Sequence, residues 1–95
     1  MIISQLSIAP VGASISLGKY VKIVITTLRR NNVNFETNDM ATVIETKDLE
    51  ALFKVVQEAH NAVIKAGAKR VITELKIDDR RDKNVKIGTK VKAVQ

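Results

Sequence analysis

Covalent chemistry has little to work with in this chain. Its 95 residues include no cysteine and one histidine, His60. That excludes a thiol nucleophile, a disulfide framework and cysteine-based metal sites, and it leaves too few imidazoles for a histidine-rich metal centre. The polar side chains that remain suit recognition. Thr42 and Glu45 put a hydroxyl and a carboxylate on one short β-branched run, and Ser7 and Ser16 add hydroxyls nearer the N-terminus. Lys76, Arg80 and Arg81 are cations able to hold a phosphate. Each hydroxyl or carboxylate also has an ordinary use: β-propensity for Thr42, a helix cap for Ser16, a solvated strand end for Glu45. His60 falls on an apolar stripe, where a packed and hydrogen-bonded histidine is expected rather than a catalyst. The run Asp78-Asp79-Arg80-Arg81-Asp82-Lys83 alternates in sign and reads as surface ion pairs.

Short elements must position these residues. Met1 to Ile8 alternates with period two, with Ile2, Ser4, Leu6 and Ile8 on one face, and Pro10 and Gly12 end the strand. Ser14 or Ser16 then caps a helix with the stripe Leu17, Tyr20, Val21, Val24, Ile25 and Leu28, stopped by Asn31 and Asn32. Phe35 to Asn38 and Ala41 to Thr46 form a hairpin turning at Asn38-Asp39. Asp48 caps a second helix with the stripe Leu49, Leu52, Phe53, Val56, His60, Val63 and Ile64, closed by Gly67. Arg70 to Asp78 alternates again as a fourth strand. Residues 79–95 are a charged extension in which Val85, Ile87, Val91 and Val94 point to docking on the body or on a neighbouring subunit.

The order strand–helix–strand–strand–helix–strand predicts an α+β, ferredoxin-like βαββαβ domain over residues 1–95, a four-stranded antiparallel sheet with two helices on one face. Right-handed crossovers are expected to place the first and fourth strands in the centre. The opposite face, with Gln5, Ser7, Ile72, Glu74 and Lys76, then has no cover from its own chain. Thr42 and Glu45 fall on opposite faces of a regular strand. A bulge would unite them; otherwise one faces the helix layer or a partner subunit.

Size and charge narrow the function classes. A 10.5 kDa chain folds with little margin, which favours a homodimer or homotetramer. No apolar run approaches the ~20 residues of a membrane span, and the N-terminus lacks a basic leader, so a cytoplasmic protein is expected. The net charge of +6 is uneven: residues 1–35 carry four bases and no acid, 36–75 five bases and seven acids, 76–95 seven bases and three acids. Basic flanks could attract a phosphate ligand or RNA. Base stacking, however, needs exposed aromatics, and only Tyr20, Phe35 and Phe53 are present. An acylphosphatase-type enzyme would need a glycine-rich loop after the first strand, and Pro10-Val11-Gly12-Ala13 is not one.

Three stretches carry a resemblance: Ala9-Pro10-Val11-Gly12 with Ser16-Leu17-Gly18-Lys19-Tyr20-Val21, then Met40-Ala41-Thr42-Val43-Ile44-Glu45, then Arg70-Val71, Lys76 to Lys83 and Lys90 to Val94. In this order they resemble the small thiamine-binding protein family, the YkoF-like group, across nearly the whole chain. Asp39 stands where members often carry proline, and Ala41 and Thr46 where they often carry glycine. The resemblance implies the ferredoxin-like fold, a homo-oligomer, and binding of thiamine or its hydroxymethylpyrimidine half without catalysis or a cofactor. For such a ligand Ser7, Ser16, Thr42 and Glu45 are polar contacts of the right residue types, and Lys76, Arg80 or Arg81 would take the phosphate of a phosphorylated one. An RNA- or phosphate-ligand-binding module of the same fold is the alternative.

Overall fold

A computed structural model describes residues 1–12 and 17–95. The elements are β1 (Ile2–Pro10), α1 (Leu17–Arg30), β2 (Asn34–Thr37), β3 (Thr42–Thr46), α2 (Leu49–Lys65), β4 (Val71–Asp79) and a short α3 (Thr89–Ala93). This is the expected ferredoxin-like order with one helical turn added in the C-terminal segment. The predicted caps of α1, Ser14 and Ser16, lie outside the described residues. At the other end of α1, Asn32 adopts φ 56°, the left-handed turn that asparagine tolerates. Asp48 caps α2 as expected, its carboxylate accepting from the Ala51 amide at 2.8 Å.

Strand order corrects one expectation. The sheet runs β2-β3-β1-β4, so β1 and β3 are central and β4 is an edge. Each crossover helix spans one intervening strand: α1 leaves a slot that β3 fills, and α2 carries the chain past β1. Handedness alone does not choose between filling that slot and stacking strands outward. β1 also runs further than Ile8, pairing Pro10 with Val71 of β4. The Val11 amide donates to the Arg70 carbonyl at 2.8 Å, so the adjacent Pro10 turns its backbone nitrogen away from β4. β3 has already ended on that side, and the missing N–H costs no ladder bond.

The core lies between the sheet and the two long helices. Leu6, Ile44, Tyr20, Val24 and Leu28 pack there with Val55, Ala59 and Val63 of α2. This corrects the stripe read for α2. Leu52, Val55, Ala59 and Val63 are its buried face, while Phe53 keeps 50% and Ile64 42% of its surface exposed. The helix is apolar over a wide arc, and two neighbouring stripes compete. The stripe carrying Ala59 and β-branched side chains is the one that packs in the core. His60 donates to or accepts from the Thr73 hydroxyl at 2.6 Å, as a packed histidine should.

Truncation separates the two faces. Val55→Ala, at 1% exposure, should destabilise by about 1.5–3 kcal/mol through lost burial and a residual cavity. Phe53→Ala should cost less than about 1 kcal/mol despite the larger deletion, because much of that ring is already in water. Urea unfolding of both variants gives the comparison.

Candidate functional site

The pairing of β1 is unequal on its two sides. Along β4 it is paired from Ile2 to Pro10, but along β3 only from Ile2 to Leu6, which faces Thr42. Because Val11 bonds to β4, odd residues of β1 turn their backbone groups toward β4 and even residues toward β3. Ile8 is the first even residue beyond the start of β3. Its N–H and C=O therefore face a gap in the sheet, where no strand answers them.

A cleft of about 130 Å³ occupies that gap. Leu6, Ser7 and Ile8 line it from β1, and Val21 and Val24 from α1. The hairpin turn closes it with Thr37, Asp39, Met40 and Thr42. Asn38 holds this turn, its side-chain oxygen accepting from the amides of Met40 at 2.8 Å and Ala41 at 3.0 Å. Asp39 is thereby fixed as an exposed carboxylate on the cleft, and the Thr37 and Thr42 hydroxyls pair across the hairpin at 3.1 Å. The result is a small space with apolar walls, a backbone donor and acceptor, hydroxyls and one carboxylate. It holds one ring rather than a drug-sized molecule, since such pockets run to roughly 300 Å³ and more.

The structure brings together only part of the residues expected from sequence. Ser7 and Thr42 both line the cleft. Alternation directs the Ser7 side chain to the opposite face from Leu6 and Ile8, while Thr42 is buried on the helix side. Ser16 lies outside the described residues. Glu45 is elsewhere: the β1–β3 register is continuous, no bulge intervenes, and Glu45 lies on the open face. Both of its oxygens are engaged, one accepting from the Ile87 amide at 2.9 Å and the other from the Asn34 side chain at 3.1 Å. Lys76 is also on the open face, in a separate cleft of about 430 Å³ with Gln5, Val43 and Asp78. Arg80 follows the end of β4 opposite Ile2 and lines a broad cleft of about 690 Å³ with Lys47 and Lys83. Ile2 and Ile8 are six residues apart on one strand, about 20 Å. A ligand seated by Thr42 does not reach Arg80 of the same chain.

The chain matches the family model described as "Thiamine-binding protein" over residues 4–95. The chain belongs to the thiamine-binding protein family. A "UPF0045 protein" of Methanothermobacter thermautotrophicus is 43% identical, over 100% of this chain and 97% of that protein. The crystal structure of a hypothetical protein from Methanocaldococcus jannaschii superposes with TM-score 0.88 at 40% identity, over 98% of this chain and 94% of that one. A Thermotoga maritima protein provisionally assigned to thiamine biosynthesis or salvage superposes with TM-score 0.83 at 19% identity, over 99% of this chain and 98% of that one, and shows a shared fold.

Two features of the site in this thiamine-binding family member were not legible in its sequence. The open backbone of Ile8 depends on where β3 begins, which only the register sets. Asp39 reads in the sequence as turn chemistry and as a departure from the proline common in the family, and neither signal by itself puts its carboxylate on the cleft. No group of three or more His, Cys, Asp or Glu that could hold a metal exists among the described residues.

The charges after β4 form local pairs. Arg80 binds Asp82 at 2.6 Å and Arg81 binds Asp79 at 3.0 Å. The hydrogen bond from Arg80 holds the Asp82 carboxyl down from 3.8 to about 2, and it raises the guanidinium in turn. A carboxyl depressed on folding contributes its stability above its unfolded value and loses it as pH falls through its folded value. The Asp82 resonance should therefore titrate near 2, and in Arg80→Ala it should return toward 3.8 in carbon-detected NMR. The pair is exposed, so unfolding stability at neutral pH should hardly change.

Proposed function

We propose that the chain is a non-catalytic, cytoplasmic, homo-oligomeric binding protein for thiamine or its hydroxymethylpyrimidine half. Family membership supplies the ligand class. The observation that carries the reading is the gap beside β1, where Ile8 offers a free N–H and C=O next to the Thr42 hydroxyl. An aminopyrimidine presents donors and acceptors along one edge of a flat ring, and a strand edge is complementary to that pattern. Leu6, Val21 and Val24 give the ring apolar walls. Asp39 can offset the charge of a thiazolium, which a chain of net charge +6 would otherwise repel. Glu45, with both oxygens bound within the protein, is replaced in that role by Asp39.

The RNA- and phosphate-binding alternatives gain no support. Among the described residues the open face has no aromatic side chain: Tyr20 is buried, Phe35 is on the helix side and Phe53 is on α2. The strands present Glu36, Glu45, Glu74 and Asp78 on that face against Lys76, and Lys90, which lies beside Lys76, is already paired with Asp78, a poor setting for a phosphate. The C-terminal segment covers part of that face, through the Ile87 amide on Glu45 and Lys90 on Asp78, which corrects the expectation of no cover from its own chain. Homo-oligomerisation is supported by the part left open and by the nine-residue edge strand β4, with Ile72 exposed on it. No described helix is long and apolar enough to cross a membrane.

Calorimetric titration of thiamine and of free hydroxymethylpyrimidine tests the reading. Thr42→Val should weaken both ligands by about tenfold, the worth of one lost hydrogen bond in a closed site. Asp39→Asn should weaken thiamine and spare the uncharged pyrimidine. In NMR the Ile8 amide should shift on binding. No heat with either ligand at about millimolar concentration, where a Kd gives roughly −4 kcal/mol, would overturn the reading.

A further inference from the structure

The cleft beside Ile8 has apolar walls, and two of them stand partly in water. Leu6, Ile8, Val21 and Val24 line it from β1 and α1, and the hairpin adds Asp39, Met40 and Thr42. Val24 is buried, but Val21 keeps 43% of its surface exposed and Met40 87%. A flat ring seated on the Ile8 backbone leaves apolar surface against water unless a side chain closes over it. Met40 is the most exposed of the apolar side chains that line the cleft.

The turn that carries Met40 is held by its own hydrogen bonds. The Asn38 side-chain oxygen accepts from the amides of Met40 and Ala41, and the Asn38 amide donates to the Ala41 carbonyl at 3.0 Å. These bonds fix the backbone beside the cleft and leave the Met40 side chain free. A methionine has three rotatable bonds and a polarisable sulfur that packs favourably on aromatic rings. At the hairpin tip it adds nothing to the core, whereas burying it against a ligand removes that apolar surface from water. Asp39, one residue earlier, lines the same cleft, so one fixed turn presents a carboxylate and a thioether together. The geometry points to Met40 as the closing wall of the site: its thioether folds from solvent onto the bound pyrimidine ring and adds affinity for that ring. The proposal rests on the cleft reading above, and its test separates the failure of one from the failure of the other.

Two measurements on the full chain test it, with thiamine and free hydroxymethylpyrimidine as probes. The first is NMR of methyl-labelled methionine, which reports on Met1 and Met40 alone. Saturation with either probe should move the Met40 methyl upfield, through the ring current of the base lying against it. Met1, just before the opposite end of β1, lines a different cleft and should stay in place. The second is calorimetric titration. Met40→Ala should weaken both probes by about fivefold to tenfold, the loss of apolar contact and of the sulfur on the ring. Met40→Leu, close in volume, should stay within about twofold of wild type. A loss confined to thiamine would take the contact off the shared pyrimidine and overturn the proposal. Because Met40 is exposed, Met40→Ala should leave the melting temperature and the light-scattering mass unchanged. A changed mass would assign Met40 to a contact between copies, and that too would overturn it. If both probes bind with the Thr42 dependence given above while the Met40 methyl stays still or Met40→Ala binds as wild type, the closing wall is refuted and the cleft reading stands. No heat and no shift with either probe would refute both.

Discussion

The unequal pairing of β1 is the constraint on which the rest depends. Held by β4 along its whole length and by β3 only as far as Leu6, it is both the centre of the sheet and, over its last residues, an edge. A buried backbone group without a partner is costly, so such an edge is ordinarily covered or left to water. Here α1 lies over one side, and the hairpin turn, fixed by Asn38, closes another. The cleft is what remains. Its polarity comes from the interrupted ladder as much as from any side chain.

Two faces of one sheet carry different chemistry for the same reason. On the helix side Leu6, Ile44 and the buried stripes of α1 and α2 exclude water. On the other side four carboxylates share a surface that the core does not need, and two of them, Glu45 and Asp78, bind the Ile87 amide and Lys90 of the C-terminal segment. Glu45 illustrates the division. Three positions from Thr42, it belongs to a different face and a different task, bonding the Ile87 amide and the Asn34 side chain instead of lining the cleft. A period of two in the strand decides this, and no rearrangement short of a bulge would undo it.

Much of the fold was legible because local physics agrees with it. Alternation in β1 and β4, the Asn38-Asp39 turn, the Asp48 cap and the asparagines after α1 each satisfy backbone groups close in sequence. The segment 79–95 was only partly legible. Val85 docks as its place among charges implied, yet Val91 and Val94 stay in solvent, and the left-handed Gly88 begins α3 with no side-chain cap. Periodicity misjudged α2, since Phe53 and Val55 are equally apolar and only the shape of the neighbouring elements chose between their stripes.

The sequence by itself determined the element order, the fold class, the chemistry that cannot occur without cysteine and with one histidine, and the family. These follow from residue types and from interactions within a few positions. Tertiary structure alone decided that β4 is an edge, that β3 stops opposite Leu6, that Ile8 turns an open backbone into a cleft, and that Glu45 meets a residue 42 positions later. Each is a matter of register between distant segments. Register is set by the packing of whole faces, which no local pattern encodes.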